Sequence, residues 1–314
     1  MRSAICFIIS ILSITILTSC NSKSDQKTAD AKHTETVTAV NRNTPIDIVA
    51  QDFKFQVPDT LPSGWVNIHF INNGKQTHFF MLNKLPEGVT YDDYLSEIAP
   101  PFGEVWTALK DSGISKQEAT NRLMASLPKW VADVHTIGGS GLIAPGGTTN
   151  ITLKLIPGNY EMECYVKTPE GVFHGALGMV NHIIVSEDST NLKPPEADIH
   201  LTLRNHNIET NGDLSAGRHT IAVHFQDPAP FGVGDDVHLI QVEETTNFNE
   251  VVEWMNWMNI HGLEAPAPAI FLGGVQEMPQ GSTEYFTVDL KPGHYAWIAE
   301  SYASAGMVQQ FSVE

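Results

Sequence analysis

Four residues in the sequence have the chemistry of a soft-metal site, and three of them lie close together. Cys164 is followed after nine residues by His174 and after a further four residues by Met179, whereas His78 lies far upstream. A thiolate stabilises Cu(I), imidazole binds both oxidation states of copper, and a weak thioether ligand tunes the reduction potential. A type 1 copper site requires this donor set, so the four residues are the predicted ligands of one copper ion.

Each predicted ligand also has an ordinary structural explanation. A lone cysteine such as Cys164 is often a small buried apolar residue, and His78 can be a structural histidine at a strand edge. Gly178-Met179 recurs as Gly306-Met307, where no equivalent of His174 exists, so the methionine can serve packing alone. The combined spacing of cysteine, histidine and methionine favours copper ligation.

The N-terminus predicts a lipoprotein signal peptide. Arg2 precedes an apolar run over residues 4–17, and Leu17-Thr18-Ser19-Cys20 resembles the cleavage site of lipoprotein signal peptidase. We expect cleavage after residue 19, lipidation of Cys20 and an extracytoplasmic location. Asn21 rather than Asp follows the cysteine, which favours the outer membrane by resemblance to enterobacterial sorting rules.

This processing isolates one thiol. The chain has three cysteines, of which Cys6 leaves with the signal peptide and Cys20 carries the lipid. Cys164 then remains alone in a compartment where cysteines normally form disulfides. An unpaired thiol there is best explained by burial, catalysis or metal binding.

Composition divides the rest of the chain into a tether and two domains. Residues 20–45 are polar, with few large apolar side chains, and predict a flexible tether. Short alternating apolar runs separated by turn signals follow, which is typical of a β-sandwich. The polar stretch 188–196 reads as a linker, so we predict a first domain over 46–187 and a second over 197–314.

An internal repeat supports two domains of the same kind. Residues 138–160 align with 273–295 without a gap, and nine of the 23 pairs are identical. Agreement of this extent predicts a duplication. Upstream, His69-Phe70 matches His224-Phe225 in sequence, and His78 falls near His238.

One helical insertion interrupts the strands of the first domain. Thr90 with Asp93 and Ser115 with Glu118 match the residues that cap helix N-termini. We therefore expect a long helical segment before the later strands.

With these features, the sequence resembles the cupredoxin, or blue copper, family. In that family the first histidine follows a Phe-x-Asn-x-Gly-like stretch, as His78 follows Phe70-Ile71-Asn72-Asn73-Gly74 here. The cysteine, second histidine and methionine share one loop, as Cys164, His174 and Met179 do. The resemblance implies an all-β fold of two tandem cupredoxin-like Greek-key β-sandwiches, the first with the helical insertion.

The resemblance also implies details around the copper. The family often has asparagine after the first histidine, where it steadies the cysteine loop, whereas this chain has Phe79. Phe173, Ala176 and Leu177 would form an apolar patch through which a partner reaches the metal. Cys164 aligns with Ala299 in the second domain, which we therefore expect to bind no copper.

Charge and motifs narrow the function. The formal net charge of −18 excludes nucleic acid as a partner and suits a basic redox protein. Multicopper enzymes such as nitrite reductases and laccases use a histidine beside the cysteine, whereas Glu163 and Tyr165 flank Cys164 here, so we expect no enzyme. The prediction is a membrane-tethered copper electron carrier; the alternative is a non-redox structural or protein-binding module without metal.

Overall fold

A computed structural model describes residues 44–227 and 235–314 of the chain. The predicted signal peptide, the predicted lipidation site Cys20 and residues 20–43 of the predicted tether lie outside the described residues. In the described part of the chain, no helix has the length and apolar character needed to cross a membrane.

The first half of the described chain contains strands β1 to β8 and three of the helices. The strands are β1 (Ile46–Gln51), β2 (Lys54–Gln56), β3 (Thr60–Asn72), β4 (Met81–Lys84), β5 (His135–Gly139), β6 (Thr148–Leu155), β7 (Gly158–Glu163) and β8 (Val180–Ser189). The helices are α1 (Tyr91–Glu97), α2 (Ala99–Asp111) and α3 (Lys116–Ser126), and 3-10 turns span Lys129–Asp133 and Gly175–Leu177.

The second half contains strands β9 to β16 and one helix. The strands are β9 (Ile199–Arg204), β10 (Asn207–Asn211), β11 (Gly217–Phe225), β12 (Val237–Val242), β13 (Ile270–Val275), β14 (Thr283–Leu290), β15 (Gly293–Ile298) and β16 (Val308–Val313). Helix α4 spans Phe248–Met255, and a 3-10 turn spans Ala303–Ala305.

Strand order repeats between the halves. In the first half β5, β4, β7 and β8 are neighbours in that order, and in the second half β13, β12, β15 and β16 follow the same order. The opposing layer holds β1, β3 and β6 in the first half and β9, β11 and β14 in the second. The predicted all-β fold of two cupredoxin-like sandwiches is confirmed.

Strand β3 joins the two layers of the first half. Its beginning pairs in parallel with β8, and from Gly64 onward it pairs antiparallel with β6. Gly64 has a φ of +87°, and a Cβ there would lie 2.7 Å from Ser189 Oγ. Only glycine adopts this conformation at low cost. The glycine at position 64 therefore allows β3 to pass from one layer to the other at this residue.

Alternation of apolar and polar residues fills the cores. In β6, Ile151, Leu153 and Leu155 point inward and are at most 1 % exposed. Burial of each such side chain contributes about 1.5–3 kcal/mol. The repeat identity of Tyr160 and Tyr295 has a structural cause, because each hydroxyl donates to the carbonyl four residues before it, at 2.7 and 2.9 Å.

The two halves join along β6 and β14. Ile151 pairs with Phe286, its own equivalent in the repeat, and the flanking pairs Thr152–Tyr285 and Asn150–Thr287 are equivalent to each other. Pairing an element with its own copy produces a local two-fold relation. The layers containing these strands therefore form one continuous sheet across the junction.

The helical insertion lies between β4 and β5. Thr90 and Asp93 form the predicted capping box of α1, and the Ser115 hydroxyl caps α3 by accepting the Glu118 N–H. The predicted helical insertion is confirmed, and it consists of the three helices α1 to α3. Helix α2 contacts the loop after β7, because Trp106 Nε1 donates to Gly171 O at 3.0 Å.

Candidate metal centre

The predicted ligands come from two loops at one end of the first sandwich. Cys164 directly follows β7, and Met179 directly precedes β8; the Cys164 N–H donates to Met179 O at 3.2 Å. The Met179 N–H donates to His174 O at 3.0 Å, which closes the loop. His78 lies between β3 and β4 and is fixed by an exchange of backbone hydrogen bonds with Ile143.

Three side chains converge on one point. Cys164 Sγ lies 3.8 Å from His78 Nδ1 and 3.6 Å from His174 Nδ1, and all three residues are 0 % exposed. With bonds of about 2.3 Å to sulfur and 2.0 Å to nitrogen, as zinc makes in proteins, a trigonal metal separates these atoms by about 3.7 Å. The observed spacing fits one metal ion between the three side chains.

Hydrogen bonds fix which nitrogen of each ring faces the sulfur. His78 Nε2 lies 2.7 Å from Asp52 Oδ1, and His174 Nε2 lies 2.9 Å from Gln76 Oε1. Because both partners are oxygen acceptors, each Nε2 carries the proton and each Nδ1 keeps its lone pair. Outer partners of this kind orient metal-ligating histidines.

Burial sets the protonation of the three donors. It lowers the pKa of His174 to about 3, and it lowers the pKa of His78 against the opposing effect of Asp52. Both imidazoles are therefore neutral and able to ligate at neutral pH. Burial raises the pKa of Cys164 to about 12, so metal binding would have to displace a proton from the thiol.

Phe79 supports the cysteine through its backbone. Backbone hydrogen bonds from Phe79 and Val166 to Cys164 oppose the rise of the thiol pKa. The Phe79 ring packs edge-on against Tyr165, with centroids 4.6 Å apart. Two backbone N–H groups and an aromatic contact thus steady the cysteine loop without an asparagine side chain.

Three residues around the rings were not found from sequence. Asp52 and Gln76 hold the Nε2 atoms, and Phe53 packs on His174 with ring centroids 4.6 Å apart. The one local signal is Gly74, where a Cβ would lie 2.5 Å from both Asp52 Oδ1 and His78 Nε2. A glycine four residues before a candidate histidine can therefore indicate that the backbone passes close to the histidine ring and its hydrogen-bond partner.

Met179 is fully buried, and its backbone is hydrogen-bonded to two of the three donor residues, Cys164 and His174. The second half has the same local arrangement, because the Ala299 N–H donates to Met307 O at 3.1 Å. The methionine position is thus part of the fold in both halves, and Ala299 stands in the second half where Cys164 stands in the first.

The apolar patch predicted around His174 is smaller than expected. Phe173 packs against Trp106 of α2 and Trp257 of the second half, with ring centroids 4.9 and 6.3 Å away. Ala176 and Leu177 are exposed, the latter to 46 %. The insertion and the second half cover Phe173, which sequence spacing did not reveal.

Strand register corrects the upstream part of the repeat. Met81 and His238 occupy the same position, since Met81 pairs with Gly139 and Glu163, and His238 pairs with their equivalents Gly274 and Ile298. His238 therefore lies three residues beyond the position that is equivalent to His78.

His238 belongs to a second buried cluster, with Asp236 and Glu300. Tyr165 of the first half donates to Glu300 Oε2 at 3.0 Å, so the cluster lies at the junction of the halves. His238 Nδ1 accepts the Leu142 N–H at 3.1 Å, and Nε2 lies 3.2 Å from Asp236 Oδ2. With Nδ1 accepting, Nε2 carries the proton, so both nitrogens are used in hydrogen bonds and the cluster is a polar network.

The strand order and this centre define a class: a tandem cupredoxin-like β-sandwich protein with a His-Cys-His centre in its first half. No family model and no curated protein matches the sequence. The chain is similar to solved structures of copper proteins. Dithionite-reduced auracyanin from Roseiflexus castenholzii is 22 % identical, over 46 % of this chain and 97 % of that one, with a TM-score of 0.27.

Two further solved structures show similar figures. An azurin from Methylomonas sp. strain J is 14 % identical, over 46 % of this chain and 99 % of that one, with a TM-score of 0.26. A multicopper oxidase is 16 % identical, over 85 % of this chain and 88 % of that one, with a TM-score of 0.24.

The match to a multicopper oxidase, which covers 85 % of this chain, overturns our expectation that the protein is not an enzyme. That expectation depended on Glu163 and Tyr165 flanking Cys164 in place of histidine. Those neighbours argue only against a ligand link from the cysteine to an adjacent copper centre. They do not exclude chemistry elsewhere in a two-sandwich protein, so the exclusion is withdrawn.

Proposed function

We propose that the first half binds one type 1 copper ion and that the protein transfers electrons. The observation that carries this proposal is the convergence of Cys164 Sγ with two imidazole Nδ1 atoms at 3.6 and 3.8 Å. His78, Cys164 and His174 would be the three strong ligands, and Met179 the weak fourth. Copper in such a set supplies reversible one-electron chemistry.

The chain's own residues hold the donors in place for both oxidation states. Asp52 and Gln76 keep the two rings from turning, and the Phe79 and Val166 backbones hold the sulfur. The donors are buried, and they lie on loops that backbone hydrogen bonds hold at the ends of the strands. A site that is held in this way changes little on gaining or losing an electron.

We assign His174 as the route for electrons. Its ring is buried, but its outer nitrogen contacts the half-buried Gln76, and Ala176 and Leu177 in the following turn are exposed. The remaining apolar surface around this turn is where a redox partner would dock. The net charge of −18 favours a basic protein as that partner.

For location, the proposal is a lipid-anchored protein of the outer membrane that faces the periplasm or the cell surface. The sequence around Cys20 supports it, together with the polar stretch over 20–45, which would hold the sandwiches away from the lipid. Labelling of the expressed full chain with a radioactive fatty acid tests the anchor. Cys20→Ser should abolish the label, whereas Cys6→Ser should retain it.

Metal analysis and visible spectroscopy of the purified protein test the copper site. We expect one copper per chain and an intense visible band from thiolate-to-copper charge transfer. Cys164→Ser and His78→Ala should abolish the band, and His69→Ala, at a half-buried histidine outside the site, should keep it. A colourless protein after copper loading would instead support the non-redox binding module.

A further inference from the structure

Lys167 is a fully buried lysine in the loop between Cys164 and His174. It lies three residues after Cys164, and its side chain crosses from the first half into the second. Nζ lies within hydrogen-bonding distance of three carbonyl oxygens of the second half, those of Trp257 (2.9 Å), Asn259 (2.8 Å) and Ile260 (3.3 Å). We call these three carbonyl groups the carbonyl cage.

Aromatic rings complete the surroundings of the amine. Nζ lies 4.1 Å from the Trp106 ring centroid of α2 and 5.4 Å from that of Phe173. A buried ammonium costs several kcal/mol unless polar groups replace its water, and the cage and the rings do so here. Burial lowers the pKa of Lys167 to about 7, but its N–H groups donate to carbonyls in either protonation state.

The backbone of Lys167 is bound to the same region of the second half. Its N–H donates to Leu263 O at 2.8 Å, and its carbonyl accepts the Ala265 N–H at 2.8 Å. This two-way pairing with residues on both sides of Glu264 forms a parallel bridge. Main chain and side chain therefore attach one residue of the ligand loop to the second half.

Lys167 is connected to both Cys164 and His174, through its neighbour Val166 and through Phe173. Val166 contributes a backbone hydrogen bond to Cys164, and its carbonyl accepts the His174 N–H at 2.8 Å. Lys167 also forms an isolated bridge with Phe173, the residue before His174. Displacement of Lys167 would move the cysteine sulfur and the histidine ring relative to each other.

We propose that the second half, which lacks a counterpart of Cys164, positions the metal-binding loop of the first half through Lys167 and the carbonyl cage. Lys167 is a positioning residue, since it acts on the donors through Val166 and Phe173. This inference rests on the proposed copper site. It assigns the second half a role in setting the geometry of a site to which it contributes no ligand.

The test compares Lys167→Met with a destabilised control. Lys167→Met keeps an unbranched apolar chain but removes the donor, whereas Ile221→Ala leaves a destabilising cavity in the second half's core. Both variants are expected to lower the melting temperature. Lys154→Met, at an exposed lysine of β6, controls for loss of a positive charge.

In the copper-loaded protein, Lys167→Met should shift the charge-transfer band and the reduction potential. Copper affinity should fall about 10–100-fold, the range seen when outer partners of metal ligands are removed. Ile221→Ala and Lys154→Met should keep the wild-type spectrum and potential below their melting temperatures. A Lys167→Met protein that is less stable but spectroscopically unchanged would reduce Lys167 to a structural anchor and overturn the proposal.

A second readout works without copper. In the metal-free protein, Cys164 is buried, and its reaction with a thiol reagent requires the loop to open. Lys167→Met should raise that rate by about tenfold or more, equivalent to a loss of about 1.4 kcal/mol in local opening energy, and Ile221→Ala should not. Wild-type protein that binds no copper would contradict the proposed function, whereas an unchanged thiol rate in Lys167→Met would contradict the positioning role alone.

Discussion

The ring of each histidine in the His-Cys-His centre is held by one side-chain oxygen of a residue that is not a candidate ligand. Asp52 fixes His78, and Gln76 fixes His174, so the lone pairs face the sulfur before any ion arrives. Such preorganisation reduces the reorganisation that binding would otherwise require. Burial, and not these partners, keeps both rings neutral, because Asp52 raises the pKa of His78 against the larger effect of burial.

Asp52→Ala tests this arrangement at the level of one hydrogen bond. The His78 ring loses the acceptor at 2.7 Å that keeps its proton on Nε2, so copper affinity should fall about 10–100-fold. Asp47→Ala is a matched control, because Asp47 holds the more exposed His69 at 3.1 Å. Titration of both variants with a copper chelator measures the affinities; equal affinities would contradict the role of Asp52.

Gly74→Ala tests the close approach of backbone and ring. The added methyl would lie 2.5 Å from Asp52 Oδ1 and His78 Nε2, so the pair must separate. We expect weaker copper binding and an altered charge-transfer band. Gly103→Ala is the control, because its methyl meets nothing within 4 Å and should stabilise α2 by about 0.5–1 kcal/mol. Identical spectra for Gly74→Ala and wild type would show that the ring is free to adjust.

Among the elements, loops and strand ends rather than strand centres carry the chemistry. Strand β7 delivers Cys164, the bridge with Ile143 fixes His78, and the loop before β8 supplies the other two candidates. The insertion helices pack on this loop from one side through Trp106. The ligand loop is therefore held by elements that are distant in sequence.

Strand β11 offers a pH-dependent contact that is remote from the centre. Burial lowers the pKa of His219, but its hydrogen bonds with Asp198 and Ser215 and the charge of Asp198 outweigh this effect, so the net shift is upward. The pKa of Asp198 is lowered, because its hydrogen bonds with His219 and Thr220 outweigh burial. The histidine's contribution is full below its ordinary pKa of 6.5 and is lost as the pH rises through the raised value. The aspartate's contribution is full above 3.8 and is lost as the pH falls through the lowered value.

Asp198→Asn should therefore destabilise the protein most in mildly acidic solution. Melting temperatures are compared at about pH 5, which lies between the two ordinary pKa values, and at about pH 8, which lies above both. We expect the difference in melting temperature between wild type and variant to be smaller at the higher pH. A gap that widens with pH would contradict the assigned shift of His219.

At the scale of the whole molecule, the halves share a continuous sheet and buried polar groups. Glu284 of β14 is 0 % exposed and accepts the Gly139 N–H of β5 at 3.2 Å. Burial raises its pKa well above 4.5. The junction therefore holds a carboxyl group that favours the protonated form.

Glu284→Gln tests the protonation of this junction. An acid whose pKa is raised by folding binds more protons in the native state, so stability falls as the pH rises above 4.5 towards the native pKa. The glutamine oxygen can still accept the Gly139 N–H, and the variant should lack this fall. Melting curves from about pH 5 to about pH 8 measure it; a wild type and variant with parallel pH profiles would refute the assignment.

The sequence by itself determined the features that depend on local patterns. Apolar alternation gave the strands, the repeat gave two sandwiches, and Thr90 with Ser115 marked the helix starts. Cys164 and His174 could be paired because both lie on one loop. These inferences succeed because side-chain period, turn chemistry and capping act over a few residues.

Only the tertiary structure decided what distant segments do to one another. Asp52 reaches His78 across 26 residues, and Gln76 reaches His174 across 98. Lys167 enters a cage of carbonyl groups about 90 residues away in the chain, which no side-chain pattern records. Cross-strand pairing also decided that the equivalent of His238 is Met81, three residues after His78. Contacts of this kind are fixed by how sheets pack, and spacing along the chain carries no information about them.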